Sequence, residues 1–284
     1  MKALVFGDRF GPGLPPGLEA VREPAPDVVA ILTVPAFPVD AALIEALPEL
    51  RVIATASVGF DHIDVEAADA RRIAVVSVPD YCTEEVADHT LALLYALVRG
   101  VVALDRDVAR GGWNAKAAGA LRTVAELRVG IVGLGRIGGA VATRLLALGA
   151  EVWANDVLPV AREGVQFAEL DELLAVCDAV TLHVPLTRET RGLIGRTQLA
   201  SMRPDALLVN TSRGAVVDEG AVISALRAGR LGGAALDVLV REPPPLAPLA
   251  PNLIVTPHAA YYSEASAERA YRLAVARVRE ILGA

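Results

Sequence analysis

The glycine-rich segment Gly133-Leu134-Gly135-Arg136-Ile137-Gly138 directly follows the apolar run Val129 to Val132 and opens an Ala- and Leu-rich helical stretch through Leu148. In that setting each glycine has a purpose. Gly133 supplies a tight turn, Gly135 lets backbone approach a pyrophosphate, and Gly138 lets helix and strand pack closely, with the helix N-terminus facing the phosphates. The next apolar run ends at Asp156, eighteen residues after Gly138. A carboxylate there can accept hydrogen bonds from both hydroxyls of an adenosine ribose and would repel a 2′-phosphate. No arginine follows Asp156 until Arg162, so the pattern favours NAD over NADP. A glycine turn without a ligand is the other reading of the same residues.

Three polar clusters come later: Asn210-Thr211-Ser212-Arg213-Gly214, then Asp237 with Glu242 before Pro243, then Thr256-Pro257-His258. Each follows an apolar run read as a strand, and in open α/β sheets ligands bind at the carboxyl ends of the strands. The elements that must position these groups alternate short apolar runs with amphipathic stretches, which predicts an α/β class with parallel sheets. In the first part, strands are expected at Lys2 to Phe6, Val28 to Val34, Arg51 to Ala56 and Ala74 to Val76, with helices at Asp40 to Leu47 and Val65 to Arg71. A helical pattern from Thr83 to about Arg110, with Val86, Leu91, Leu94, Leu97, Val98 and Val101 in phase, predicts one long helix crossing between domains.

A second series of six strands is expected at Val129 to Val132, Glu151 to Asn155, Ala179 to His183, Ala206 to Asn210, Ala234 to Val238 and Leu253 to Val255. Six in this order suit a doubly wound nucleotide domain. The last helix, Ala265 to Leu282, sets Ala270, Leu273, Val278 and Ile281 on one side and is expected to return to the first domain. Proline-rich Gly11 to Gly17 and Pro243 to Pro251 read as loops.

Composition narrows the function classes. A 54% hydrophobic chain of 284 residues can fill two cores, and a net charge of -7 offers no basic field for nucleic acid or an anionic membrane. Apolar stretches are interrupted before the length a span needs, so no membrane partner is expected. Two cysteines, Cys82 and Cys177, make no disulfide framework, and Met1-Lys2 leads into a strand pattern without a signal-peptide layout. A cytoplasmic location is the expectation. No His or Cys cluster has metal-ligand spacing, so no metal is expected.

With these residues in view, the chain resembles the D-isomer-specific 2-hydroxyacid dehydrogenase family over nearly its whole length. The likeness rests on Ser57-Val58-Gly59-Phe60-Asp61, Val86-Ala87-Asp88, the glycine loop, His183-Val184-Pro185-Leu186-Thr187, the Arg213 segment, Ala235-Leu236-Asp237-Val238 and Pro257-His258, in that order. It implies two Rossmann-like doubly wound domains with the active site in the cleft between them. One is a discontinuous, flavodoxin-like substrate-binding domain, 1–88 plus 265–284, and the other an NAD-binding domain, 89–264. It further implies hydride transfer between NAD and a small 2-hydroxy or 2-keto acid.

By that resemblance Arg213 binds the substrate carboxylate and keto oxygen, His258 is the acid and base, and Glu242 is its partner. The residue types suit those tasks. A guanidinium offers a carboxylate two parallel hydrogen bonds, and a proton donor must stand beside an oxygen on which negative charge builds. The cofactor set so implied is Gly133, Gly135, Arg136, Ile137, Gly138, Asp156, His183, Pro185, Thr211 and Asp237, with Asp237 on the nicotinamide carboxamide. The amides of Val58 and Gly59 join Arg213 and His258 on the substrate. Locally, Pro257 to Glu264 is similar to the C-terminal-binding-protein branch, an NAD-responsive protein-binding module, and Ser57-Val58-Gly59 to glyoxylate and hydroxypyruvate reductases. The reductase is favoured because the catalytic trio is intact. Tyr261, where the first branch has tryptophan, either walls the substrate pocket or packs in its loop. His62 and His89 read as structural or as supports behind the site, and pairing through the long helix, the family habit, implies a homodimer.

Overall fold

Val28 to Thr33 is apolar and β-branched, the pattern of a strand covered on both faces, and the computed structural model buries all six residues. The structure describes residues 1–7, 10, 13–158, 161–244, 250 and 252–283. The chain divides into two compact units, Met1–Cys82 with Tyr262–Ala284, and Thr83–Tyr261.

The first unit carries strands β1 (Lys2–Val5), β2 (Glu19–Val21), β3 (Val28–Thr33), β4 (Val52–Thr55) and β5 (Ala74–Val76), in the order β2-β1-β3-β4-β5. Every pairing is parallel. Helices α1 (Ala41–Glu45) and α2 (Val65–Ala70) start where Asp40 and Asp64 accept from the amides of Leu43 and Ala67, ordinary N-caps. Ile44 and Ala68 of these helices join Leu4, Ile31 and Ile53 in one core. The last helix, α9 (Glu264–Leu282), packs on β3, β4 and β5. Its buried stripe is Ala267, Ala270, Ala274 and Val278, while the expected Leu273 and Ile281 are half-buried at its margin.

The second unit begins with α3 (Thr83–Val98) and α4 (Val101–Ala109). The expected single helix is therefore two, bent by 60° at Gly100, which takes a left-handed φ of 58° that ends α-helical hydrogen bonding. Then follow β6 (Arg128–Val132), α5 (Arg136–Ala147), β7 (Glu151–Asn155), β8 (Val165–Phe167), α6 (Leu170–Val176), β9 (Ala179–Leu182), α7 (Arg196–Ser201), β10 (Leu207–Asn210), α8 (Glu219–Arg227), β11 (Gly233–Leu236) and β12 (Leu253–Val255). The strands form one parallel sheet ordered β12-β11-β10-β9-β6-β7-β8, whose direction of growth reverses between β6 and β9. Ala87, Leu93 and Leu94 of α3 pack with Val141 and Leu145 of α5 over one face, and Leu173, Leu199 and Val222 cover the other.

The expected domain limits, 88/89 and 264/265, fall instead at 82/83 and 261/262. Helix α3 shares its inner face with α5, so all of it joins the second unit. Two strands escaped the sequence reading, β2 and β8. Both are three-residue edge strands, and neither has a fully buried residue to mark it. Of the proline-rich loops, Gly11, Pro12, Pro245 to Leu249 and Pro251 lie outside the described residues. Cys82 and Cys177 are buried and form no disulfide, and burial first, with Asp178 and Glu151 adding to it, pushes the Cys177 thiol up to about 12. Among the described residues no group of His, Cys, Asp and Glu is placed to hold a metal, and no single helix is long and apolar enough to cross a membrane.

Candidate active site

The registers of the second sheet bring distant parts of the chain into one line. Val132 pairs with Asn155 and Leu182, Asn210 with Leu182 and Leu236, and Leu236 with Val255. One residue further on, Asp156, Gly133, His183, Thr211, Asp237 and Thr256 therefore form a row across the carboxyl ends of six strands. Hydrogen bonds from Gly133 to Asn155, His183 to Val132, Asp237 to Asn210 and Thr256 to Leu236, at 2.8, 2.8, 2.9 and 3.1 Å, extend the ladder to it. Arg213 and His258 stand two positions beyond Thr211 and Thr256. Helix α3 braces the row, with Thr90 Oγ1 2.9 Å from Thr211 Oγ1 and His89 Nε2 3.2 Å from Thr256 Oγ1.

The glycine loop sits at the reversal point of the sheet. Gly133 has φ 91°, and a Cβ there would come within 2.8 Å of the His183 carbonyl; one on Gly138 would lie 2.0 Å from the Gly133 oxygen. Gly135, by contrast, faces open space, with nothing within 4 Å of such an atom. Helix α5 starts at Arg136 and Ile137, and its N-cap Gly135 has no side chain to satisfy the first amides. That end is suited to a phosphate. Asp156 accepts from the amides of Leu134 at 2.6 Å and Leu158 at 2.8 Å, tying this carboxylate to the glycine loop. Arg162 is held on α5, donating to Thr143 Oγ1 at 2.6 Å.

His183 Nε2 is buried and, among the described residues, has no hydrogen-bond partner. Burial pushes its imidazole down to about 4, so the ring is neutral near pH 7. An open glycine cradle, a bare helix N-terminus and an orphaned imidazole nitrogen in one row fit a bound dinucleotide. Beside Asp156, Val157 and Leu158 are 95% and 76% exposed, apolar surface of the kind a flat base covers. Pro185 follows β9, where its carbonyl accepts from Thr190 at 2.6 Å.

A histidine–carboxylate pair is built from three loops. Buried Asn210 donates to the Arg213 carbonyl at 2.9 Å and accepts from Ser212, fixing the turn that carries Arg213. Gly214 lets that turn lie against the Leu239 backbone, which a Cβ would strike at 2.0 Å. Leu239 in turn donates its amide to Glu242 Oε1 at 2.8 Å, and Glu242 Oε2 meets His258 Nδ1 at 2.8 Å. Because a carboxylate only accepts, Nδ1 carries the hydrogen and Nε2 is left for chemistry. Tyr261 stands edge-on to His258, with ring centroids 6.1 Å apart.

Asp237 directly follows β11 and is held by several donors. Its side chain has no exposed surface, and its oxygens accept from Thr256 Oγ1 at 2.6 Å and from the amides of Ala259 and Ala260 at 2.9 and 3.0 Å. Burial would raise its pKa, but hydrogen bonds from His89, Thr256, Ala259 and Ala260 outweigh this and hold it at about 2. In the first unit, Val58 and Gly59 follow β4. Ser57 Oγ donates to the Gly59 carbonyl at 2.7 Å, and among the described residues neither the Val58 nor the Gly59 amide has a backbone acceptor. His62 Nε2 lies 3.2 Å from Thr55 Oγ1. Thr90, which meets Thr211, is a site-supporting residue that the sequence reading left out. Its place next to His89, just before the apolar run Leu91 to Val98, was the available signal.

The model of the D-isomer specific 2-hydroxyacid dehydrogenase NAD-binding domain matches residues 91–260. The chain belongs to this family. A protein described as glyoxylate reductase from Korarchaeum cryptofilum is 41% identical over 90% of this chain and 80% of its own. The crystal structure of TT0316 protein from Thermus thermophilus superposes with TM-score 0.90 at 37% identity, covering 100% of this chain and 97% of that one. D-Lactate dehydrogenase from Aquifex aeolicus, solved with NAD and lactic acid, gives TM-score 0.86 at 31% identity over 94% and 89% of the two chains. This dehydrogenase thus uses NAD as cofactor and acts on the CH–OH group of small 2-hydroxy acids or, in reverse, on 2-keto acids. The protein-binding alternative is not favoured, since the similar proteins are reductases and dehydrogenases.

Proposed function

We propose that the enzyme reduces a small 2-keto acid of the glyoxylate or hydroxypyruvate type, with Arg213, His258 and Glu242 as its catalytic residues. Bound NADH supplies the hydride. Arg213 grips the substrate carboxylate and keto oxygen, and the amides of Val58 and Gly59 are further donors to the carboxylate. His258 Nε2 gives its proton to the oxygen as negative charge develops there, a contribution of about 100- to 10,000-fold for a positioned acid. Glu242, bonded to Nδ1, fixes the tautomer and keeps the ring aimed. The 2.8 Å Glu242–His258 bond, with the other Glu242 oxygen pinned to Leu239, is the observation that carries this reading.

For the cofactor, Gly133, Gly135, Arg136, Ile137 and Gly138 are proposed at the pyrophosphate, Asp156 at the ribose, His183, Pro185 and Thr211 along the remaining length, and Asp237 at the nicotinamide carboxamide. Tyr261, beside the His258 ring, walls the substrate side. The substrate type follows relatives described as glyoxylate reductase at 41% and 38% identity. NADH oxidation with glyoxylate, hydroxypyruvate, pyruvate and longer 2-keto acids tests it: the two smallest polar acids should give the highest kcat/KM. Preference for a long-chain acid would contradict it.

The enzyme is further proposed to be a cytoplasmic homodimer. Helix α4 has no buried residue, and Val101, Val108 and Trp113, the last 92% exposed, present apolar surface of the kind a second subunit covers. Light scattering at the mass of one chain would overturn the dimer.

A further inference from the structure

Glu242 is carried by the segment 238–244 after β11, which has no helix or strand of its own. Among the described residues, two amides of that segment have a hydrogen-bond acceptor. Leu239 donates to Glu242 Oε1 at 2.8 Å, a bond within the segment, and Val240 donates to Oε1 of Glu219, the first residue of α8. Glu219 is therefore, among the described residues, the one group outside the segment that accepts from its backbone. Its own base is anchored. Val217 pairs with Ile194, the Asp218 amide donates to the Ile194 carbonyl at 3.0 Å, and the Asp218 side chain caps α8 by accepting from Ala221 at 2.9 Å. Val222, less than a turn further on, is buried in the core. Gly214 supports the same Leu239–Val240 peptide, since a Cβ there would lie 2.4 Å from the Val240 nitrogen. Both supports come from the stretch that follows Arg213, so the chain that carries the guanidinium also seats the loop that carries Glu242.

We propose that Glu219 is a positioning residue for Glu242: by accepting from Val240 it fixes the backbone from which Glu242 reaches His258 Nδ1 at 2.8 Å. This rests on the reading of the Glu242–His258 pair as acid–base machinery. Glu242 gives one oxygen to Leu239 and the other to His258, so the placement of the Leu239–Val240 peptide decides whether both bonds form together. What Glu219 supplies is an acceptor at a set reach. A glutamine keeps that acceptor, an aspartate is one methylene short of it, and an alanine leaves the Val240 amide to water. The other role open to an acidic residue in the first turn of a helix is to complement the helix dipole, and that role needs the charge. The two roles rank the variants in opposite order.

Glu219→Ala should lower kcat with glyoxylate about tenfold, with KM and the NADH Kd from fluorescence titration kept within about threefold. Glu219→Gln should recover most of that loss. Parent kcat in Glu219→Ala, or Glu219→Gln as slow as Glu219→Ala, overturns the proposal. Should the alanine variant fail to fold by circular dichroism, Glu219→Asp decides: it keeps the charge at the helix start and should be slowed about tenfold, whereas parent kcat there overturns the proposal. In a Glu242→Ala background Glu219→Ala should cost less than about twofold, because a residue that acts through Glu242 has nothing left to position; equal losses in both backgrounds overturn it. Glu242→Ala alone is the reference. Full turnover there would refute the reading of the Glu242–His258 pair itself, a failure distinguishable from one confined to Glu219.

Discussion

A neutral, enclosed histidine makes stability depend on pH in a direction that can be worked out. His183 Nε2 is buried without a partner among the described residues, and burial lowers the ring from 6.5 to about 4. Between those values the unfolded chain binds a proton that the folded chain refuses. The contribution is therefore fully present above about pH 6.5 and is lost as pH falls toward 4. A tenfold difference in proton affinity is about 1.4 kcal/mol, so a roughly 300-fold difference amounts to about 3 kcal/mol when fully developed. Most of it is crossed early: from about pH 7 to about pH 5 the loss is about 2 kcal/mol. Urea unfolding of the parent and of His183→Gln at those two pH values isolates this contribution, because other titrating groups are common to both. The parent should lose about 2 kcal/mol more than the variant. Parallel losses would refute the assignment of a buried neutral imidazole.

Arg213→Lys keeps the charge but not the planar fork, so kcat/KM for a keto acid should fall about 100-fold while NADH binding holds; a steady-state comparison reads both. Asp156→Ser removes the carboxylate that accepts from Leu134 and Leu158, and the ratio of NADPH to NADH kcat/KM should rise about tenfold or more. An unchanged ratio would contradict the ribose role. Trp113→Glu places a charge on the exposed apolar surface beyond α4 and should shift the light-scattering mass from dimer toward monomer.

What could be read before the structure was what repeats with a period or depends on residue type. The largely apolar β3 and β9, the glycine loop after β6 and Asp156 just past β7 all declare themselves locally. The helix break at Gly100 was concealed because apolar spacing continues across it, and a single glycine within a helical pattern is compatible with either outcome. Edge strands β2 and β8 bury too little to alternate visibly. The row from Asp156 to Thr256 depends on register between strands up to 100 residues apart, from 156 to 256, which no local pattern encodes. For the same reason Asp237 was legible as a site residue, whereas its grip on the amides of residues 258 to 260 was not.

The central claim is that the His258 imidazole, held by Glu242, delivers the proton in keto-acid reduction. Stopped-flow oxidation of NADH with saturating glyoxylate, comparing the parent with His258→Ala, addresses it most directly. The account predicts at least about a 100-fold slower hydride-transfer step with NADH affinity retained. An unchanged rate in that variant would contradict it.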